Sequence, residues 1–191
     1  MNSLDEIEIN KGDIVVDCGA NVGEVTQYFV NRGAKVYAFE PNPYAFKVLS
    51  DRFEGNNNVI CINEAVSDHE GEGKLFFHEM AESDQVKFST GSSMVSDKNN
   101  VNEGKFVNVK IIDLSDFVGS LPSVPKVLKI DIEGEEDKVL NKMIDSGTVS
   151  GIPYVFVETH EKKVPSCRAG LAEVRRKIDQ FGLNNINLDW I

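Results

Sequence analysis

Two patterns of hydrophobic residues alternate along this chain. Short runs of consecutive apolar residues, typical of strands buried on both faces, are separated by stretches in which apolar residues recur every three or four positions, as on one face of a helix. The predicted strands cover residues 13–18, 35–40, 59–63, 126–132, 154–158 and 185–191. The predicted helices cover residues 22–32 and 44–53, a segment from EGEE to about residue 146, and residues 168–181. This alternation predicts an α/β fold with a mostly parallel sheet covered by helices on both faces.

Residues 67–108 interrupt the alternation. Ser, Asp, Gly, Asn and Glu dominate this segment, and its apolar pieces KLFFHEM and FVNVKIIDL predict added strands or a hairpin. Because so little aliphatic material could hardly form a core of its own, we interpret the segment as an insertion in a single domain that spans residues 1–191.

Composition narrows the range of partners and locations. The chain has 20 Lys and Arg against 31 Asp and Glu, a formal net charge of −11, and no basic cluster. Nucleic acids and anionic membranes are bound through clustered cations, so neither is expected as a partner. Three scattered cysteines fit neither a disulfide framework nor a zinc site. Without a signal peptide pattern or an apolar run of about 18 residues, a cytoplasmic protein with no membrane insertion is expected.

The motif DCGANVG, which begins at Asp17, lies at the first predicted strand-to-helix turn. Ligands of open α/β sheets bind beyond the carboxyl ends of the strands. Gly19 and Gly23 leave room for backbone N–H groups to approach an anion, and Asp17 adds a carboxylate. We also expect Asn21 to cap the following helix together with Glu24. This combination suits the carboxylate and amine of an amino acid better than a pyrophosphate.

Acidic residues at the next two strand ends favour a nucleoside. Glu40, 21 residues after Gly19, can accept hydrogen bonds from ribose hydroxyls. A nicotinamide cofactor would also suit this spacing, but the GxGxxG pattern is absent. After the third strand, either Glu64 or Asp68 could accept a hydrogen bond from an adenine amino group, and we prefer Glu64. The backbone N–H near Ala65 could contact a ring nitrogen of the adenine. Amino acid, ribose and adenine in this order describe S-adenosylmethionine.

Candidate catalytic groups follow the later strands. Lys129 and Asp131 share one face of their strand, and Glu133 lies just past its end. Asp131 has the strongest claim to face the transferred methyl group, where it would orient the acceptor or bind the cofactor amine; a helix cap is its structural alternative. Glu158 and His160 alternate onto one side of the next strand, and His160 could be the base or a structural histidine.

A metal ion is a further alternative at these positions. Asp131, Glu133, Glu158 and His160 could together offer ligands to magnesium, which would lower the pKa of an acceptor hydroxyl. Acids are common in an acidic protein, however, so the sequence assigns no metal site.

The motifs together resemble a known family. DCGANVGEVT, FEPNP, NEAVSD, GSSM and KIDIEGEE stand in the order and spacing of FkbM-type S-adenosylmethionine-dependent methyltransferases, from about Gly12 to His160. The resemblance implies a class I methyltransferase fold, a Rossmann-like three-layer sandwich with a seven-stranded sheet, and methyl transfer to a hydroxyl of a sugar, glycan or secondary metabolite. The cofactor residues that it implies, with the strand-end residues above, are Asp17, Gly19, Asn21, Gly23, Glu40, Pro41, Glu64 and Ala65.

The resemblance also bears on the acceptor. GSSM, Gly91 to Met94, is expected either to fold over the acceptor or to form a flexible tip. Because the chain is short for the family, the acceptor pocket is expected to be open or completed by a second subunit. We therefore predict an O-methyltransferase with a carbohydrate or small-molecule acceptor and leave a homo-oligomer open. The alternatives are a non-catalytic nucleotide-binding or regulatory module and an NAD-dependent oxidoreductase.

Overall fold

The computed structural model describes residues 4–190, which form a six-stranded sheet, a smaller three-stranded sheet and flanking helices. The strands are β1 (Ile14–Cys18), β2 (Lys35–Phe39), β3 (Val59–Ile62), β4 (Ala65–Ser67), β5 (Gly71–His78), β6 (Val101–Asp113), β7 (Val127–Ile130), β8 (Tyr154–Val157) and β9 (Ile186–Asn187). The helices are α1 (Glu24–Val30), α2 (Pro43–Arg52), α3 (Leu114–Ser120), α4 (Glu136–Asp145) and α5 (Arg168–Phe181). Short 3₁₀ turns lie at Leu4–Glu6, Ser89–Gly91, Thr148–Gly151 and Pro165–Cys167.

The larger sheet has the order β3-β2-β1-β7-β8-β9, and each neighbouring pair is parallel. The chain builds outward from β1 to β2 and β3, and then returns to place β7 on the other side of β1. This reversal leaves a crevice at the carboxyl ends of β1 and β7, where open α/β sheets bind ligands.

Both faces of this sheet are covered, as its sequence pattern predicts. Val15 and Val16 of β1 are fully buried but belong to different hydrophobic clusters, because successive strand residues point to opposite faces. Val15 shares its cluster with Phe29 of α1 and Leu49 of α2, whereas Val16 shares its cluster with Leu140 of α4. The predicted parallel α/β architecture is thus confirmed.

The polar insertion forms the smaller sheet, in the order β4-β6-β5. Its two apolar pieces pair antiparallel, with Leu75 opposite Val107 and Phe76 opposite Phe106, so the prediction of added strands is confirmed. The sheet runs from Ala65 to Asp113 and is therefore wider than the predicted 67–108, because β4 pairs in parallel with the end of β6.

Two predictions about elements need correction, and one helix was missed. Among residues 4–190 the larger sheet has six strands rather than seven. The strand expected over 185–191 is limited to Ile186–Asn187, and residue 191 lies outside the described part. Helix α3 follows β6 without a break and was not predicted, although Leu114, Phe117 and Val118 recur at helical spacing.

The predicted cap of α1 is also wrong. Gly23 occupies the N-cap position with φ +88°, and no side chain caps the helix there. Asn21 instead adopts φ +49°, and its Oδ1 accepts a hydrogen bond from the adjacent N–H of Val22 at 2.7 Å. The turn requires left-handed backbone before the helix begins, which moves Asn21 away from the helix end.

None of the helices described between residues 4 and 190 combines the length and apolar character needed to cross a bilayer.

Candidate functional site

A cleft of about 640 Å³, open to solvent, lies between the carboxyl ends of the larger sheet and the inserted sheet. The residues on its walls that the sequence analysis singled out are Gly19, Asn21, Glu40, Pro41, Glu64, Ala65, Asp131 and Glu133. The inserted segment adds Leu75, Ser89, Ser92 and Met94. The structure therefore brings six of the eight predicted cofactor residues to one cleft; Asp17 and Gly23 lie outside its lining.

Asp17 lies beneath the turn after β1 and is fully buried. Thr26 Oγ1 donates a hydrogen bond to Asp17 Oδ2 at 2.6 Å, and Lys129 Nζ lies 3.4 Å from Oδ1. The carboxylate expected to meet a ligand amine is thus occupied by groups of the protein. We interpret Asp17 as a residue that positions the turn.

Lys129 connects that turn to β7. Its Nζ donates to the backbone oxygens of Cys18 at 3.1 Å and Gly19 at 2.6 Å, and lies 3.4 Å from Asp131 Oδ2. Burial alone would lower the pKa of this ammonium, but the carboxylates of Asp17 and Asp131 outweigh that effect and raise it. Lys129 therefore remains charged and holds the ends of two neighbouring strands together.

Close packing within the protein explains both glycines of the turn. A Cβ on Gly19 would stand 1.8 Å from the backbone oxygen of Asp131, and φ at Gly19 is +77°. A Cβ on Gly23 would stand 2.7 Å from the Phe53 ring and 2.8 Å from Leu49. Because both residues lack a side chain, the end of β7 and the end of α2 can pack against the turn. The sequence alone could not distinguish this packing from close approach of a ligand.

The backbone N–H groups of the turn do not form the anion cradle that the sequence suggested. Those of Gly19 and Ala20 donate to Phe39 O, that of Asn21 to Glu40 Oε2, that of Val22 to Asn21 Oδ1, and that of Gly23 to Ala20 O. That expectation is wrong for residues 19–23, because these N–H groups already form hydrogen bonds within the turn and to residues at the end of β2.

Glu40 is almost entirely buried at the end of β2. Its Oε2 accepts from Asn21 N–H at 2.8 Å and its Oε1 from Asn42 N–H at 2.7 Å. Burial raises the pKa of Glu40 to about 7, although the two N–H donors act in the opposite direction. Each carboxylate oxygen has two lone pairs, so both can still accept a hydroxyl donor.

The inserted segment is fastened across the cleft. Asn21 Nδ2 donates to Ser89 Oγ and Asn42 Nδ2 to Ser92 Oγ, each at 3.0 Å, and Ser93 Oγ donates to Glu133 O at 2.6 Å. Within GSSM, the residues from Gly91 to Ser93 are buried. The motif is therefore a packed wall of the cleft, and the flexible-tip alternative is wrong.

An acid–imidazole cluster, consisting of Asp131, Glu133, Glu158 and His160, lies beside the cleft. His160 Nε2 is 3.2 Å from Glu133 Oε2, 3.5 Å from Glu158 Oε1 and 3.8 Å from Asp131 Oδ1. Asp131 and Glu133 border the cleft, whereas His160 and Glu158 do not. The structure thus brings the three predicted catalytic residues together, but places His160 behind the two acids.

Glu136 orients this imidazole and was missed by the sequence analysis. Its Oε1 lies 2.9 Å from His160 Nδ1 and accepts from the N–H groups of Ile132 at 3.2 Å and Gly134 at 3.1 Å. Burial lowers the pKa of His160, but the Glu136 hydrogen bond and the neighbouring carboxylates raise it above the usual value. The run of acids in EGEE was the available signal for Glu136.

The sequence analysis also missed Lys98, because nothing in the polar insertion indicated that this residue would contact the cluster. Its Nζ is buried, lies 2.6 Å from Glu133 Oε2 and donates to Gly91 O at 2.7 Å. Glu133 itself adopts φ +59°, a left-handed conformation that costs about 1–2 kcal/mol in a non-glycine residue. The surroundings thus hold the Glu133 carboxylate beside the imidazole.

Comparison with known proteins identifies the family and the fold. The Methyltransferase FkbM domain matches residues 17–182. The crystal structure of methyltransferase FkbM from Methylobacillus flagellatus KT superposes with a TM-score of 0.56 at 13% identity, over 92% of this chain and 39% of that one. The expected class I methyltransferase fold is therefore confirmed.

Curated relatives match over most or part of the chain. Hexuronic acid methyltransferase AglP of Haloferax volcanii is 31% identical over 158 residues, 80% of this chain and 58% of its own length. Methyltransferase 1 of Beauveria bassiana is 28% identical over 145 residues, 69% of this chain and 58% of its own. The ribosomal RNA small subunit methyltransferase A of Halothermothrix orenii is 35% identical over 88 residues, 44% of this chain and 29% of its own. The chain thus spans little more than half of the first two relatives.

The family match includes the turn after β1, the end of β2 and the acids after β7, all of which border the cleft. This protein belongs to the FkbM methyltransferase family.

Proposed function

We propose that this protein is an S-adenosylmethionine-dependent O-methyltransferase whose cofactor binds in the cleft. The observation that carries the proposal is the meeting of three successive strand ends at one cavity. Gly19 and Asn21 follow β1, Glu40 follows β2, and Ala65 comes shortly after β3. This order matches the amino acid, ribose and adenine of the cofactor, and family membership supports methyl transfer as the reaction.

Glu40 is the proposed ribose ligand. Its carboxylate is held in place by the N–H groups of Asn21 and Asn42, so it loses little side-chain entropy when it accepts the ribose hydroxyls. Glu64 and the Ala65 backbone border the same cleft and would contact the adenine. The methionine end would then lie toward Gly19 and Asp131, at the switch point of the sheet.

Asp131 is the proposed base. The cofactor supplies a methyl group already activated on a sulfonium, so the protein must position the acceptor and receive one proton. The Asp131 carboxylate takes that proton from the acceptor hydroxyl, while the oxygen forms its bond to the methyl carbon and the carbon–sulfur bond breaks to leave a neutral thioether. Asp131 is suited to this role because its partly exposed side chain borders the cleft, whereas His160 is buried behind it.

A sugar hydroxyl is the acceptor that we propose. The name of the Haloferax volcanii relative specifies a hexuronic acid, which supports a carbohydrate acceptor for this chain. The inserted segment supplies Leu75, Ser92 and Met94 to the cleft, and these side chains offer both apolar and hydroxyl contacts to such a molecule.

The experiment is methyl transfer from methyl-labelled S-adenosylmethionine to a panel of neutral and uronic acid glycosides, read by mass spectrometry. Labelled glycoside is expected with the unaltered protein and at least 100-fold less with Asp131→Asn, the usual minimum for losing a general base. Glu173→Gln, which changes an exposed acid on α5, serves as the control. Cofactor binding without transfer to any acceptor would favour the non-catalytic module, and binding of NAD in place of S-adenosylmethionine would favour the oxidoreductase.

A further inference from the structure

We propose that Asp131, Glu133 and His160 bind a divalent metal ion at the side of the cleft. Each of these residues offers one ligand atom, and the three atoms lie within 4.8 Å of one another. Ligand atoms bound to one ion at about 2.1 Å stand roughly 3.0–3.4 Å apart. The separations of His160 Nε2 from Glu133 Oε2, 3.2 Å, and from Asp131 Oδ1, 3.8 Å, are close to that range, so small side-chain movements would complete the geometry.

The unpartnered nitrogen of His160 is the observation that distinguishes this cluster from an ordinary group of surface acids. The residue is 2% exposed, and Nε2 makes no hydrogen bond among the described residues although it faces the carboxylates. A buried polar atom without a partner is costly, and a metal ion would satisfy it.

Glu136 prepares the imidazole for this role. Glu136 Oε1 accepts hydrogen bonds from the N–H groups of Ile132 and Gly134, as an ionised carboxylate does. In the 2.9 Å contact between Glu136 Oε1 and His160 Nδ1, the histidine nitrogen is therefore the donor. An ion that binds here would displace the proton from Nε2, while Nδ1 keeps its proton and its hydrogen bond to Glu136, so the lone pair on Nε2 would face the ion. Histidines that bind metals generally donate their other N–H to a carboxylate or carbonyl in this way.

The charges around the cluster also favour binding of a cation. Asp131, Glu133, Glu136 and Glu158 bring four carboxylates to the imidazole. The ammonium of Lys98 pairs with Glu133, and that of Lys129 is shared between Asp131 and Asp17. The carboxylates therefore outnumber the ammonium groups beside them, and a divalent cation would reduce their mutual repulsion. Two carboxylates with one imidazole combine the ligands preferred by Mn²⁺ and Zn²⁺, so these are the ions to test.

An ion at this place would lie beside the cleft because Asp131 and Glu133 border it. Coordinated hydroxyls are more acidic than free ones, so the ion would assist proton removal from an acceptor. Ion binding itself does not depend on the proposed function, since it is measured without cofactor or acceptor. Failure of either proposal can therefore be recognised separately.

The first test is a titration of chelator-treated protein with Mn²⁺, in which electron paramagnetic resonance reports the free ion. Saturation at one ion per chain is expected, with affinity at least tenfold lower in Asp131→Asn and Glu133→Gln. Glu173→Gln, an exposed acid remote in sequence from the cluster, should bind as the unaltered protein does. Absence of a saturable site, or equal affinity in all four proteins, would overturn the proposal.

The second test needs no substitution and so avoids variants that fail to fold. The chain has three histidines, His69, His78 and His160, whose ring nitrogens can be followed by NMR during addition of Zn²⁺. A shift of the His160 Nε2 resonance, before any change at the other two, is expected. The proposal is wrong if His160 remains protonated on both nitrogens and unshifted, or if the ion binds at His69 or His78 instead.

Discussion

Gly19 is the residue whose role differs most between sequence and structure. Its position in the motif was predicted to favour approach of a ligand, but the atom nearest to its missing side chain is the backbone oxygen of Asp131. Asp17 shows the same limit, since its partner Lys129 lies on a strand far along the chain. Residue types at strand ends could be recognised from the sequence, whereas contacts between distant segments could not.

Substitution of Gly19 tests this packing. Gly19→Ala combines a left-handed conformation with a clash against backbone, so we expect it to lower the free energy of unfolding by about 3 kcal/mol or more. Gly147→Ala is a matched control, because φ is also +77° there and a Cβ would meet nothing within 4 Å. The control should lose only about 1 kcal/mol in denaturant titrations. Equal losses would show that conformation alone, and not the contact with Asp131, requires glycine at position 19.

Glu40 should make cofactor affinity depend on pH. Because its pKa is raised to about 7, the side chain becomes protonated as the pH falls from 8 to 6, well above the range of an ordinary glutamate. A protonated carboxyl has fewer acceptor sites for ribose hydroxyls, so the dissociation constant should rise, at most about tenfold for each pH unit below the pKa. Calorimetry with S-adenosylhomocysteine measures this change. In Glu40→Gln, cofactor binding should be weaker at pH 8, and its dependence on pH between 6 and 8 should be lost. If the variant keeps the pH profile of the unaltered protein, Glu40 is not the cause of the pH dependence.

Strands and helices with strong local patterns were predicted well. Helix α5 has the predicted bounds, Arg168–Phe181, because its apolar residues recur at helical spacing over fourteen residues and Gly182 ends it with φ +63°. The parallel order of the strands follows from buried runs linked by helices. Pairing of β4 with β6 could not be predicted, since it joins residues separated by the whole insertion and neither strand shows a local signal for its partner.

The attachment of the inserted segment to the end of β2 can be tested by hydrogen exchange. Ser92→Ala removes the acceptor of Asn42 Nδ2, so amides of residues 89–95 should exchange faster. Ser120→Ala is the control, because Ser120 Oγ donates only within α3, to Phe117 O, and is exposed. If both variants exchange alike over residues 89–95, the hydrogen bond from Asn42 does not hold the segment in place.

At the scale of the whole molecule, charge predicts what the protein does not bind. One relative acts, by its name, on ribosomal RNA, but it matches 44% of this chain, and the net charge here is −11. Phosphate backbones are bound by clustered cations, so we expect no retardation of ribosomal RNA fragments in a mobility shift assay at physiological salt. Saturable retardation would contradict this and add RNA to the candidate acceptors.

Binding of the cofactor in the cleft can be tested by a crystal structure with S-adenosylhomocysteine. We predict that both ribose hydroxyls lie within hydrogen-bond distance of the Glu40 carboxylate, with the adenine beside Ala65 and the sulfur toward Asp131. The proposed cofactor site is wrong if the molecule occupies another part of the surface or if Glu40 makes no contact with the ribose.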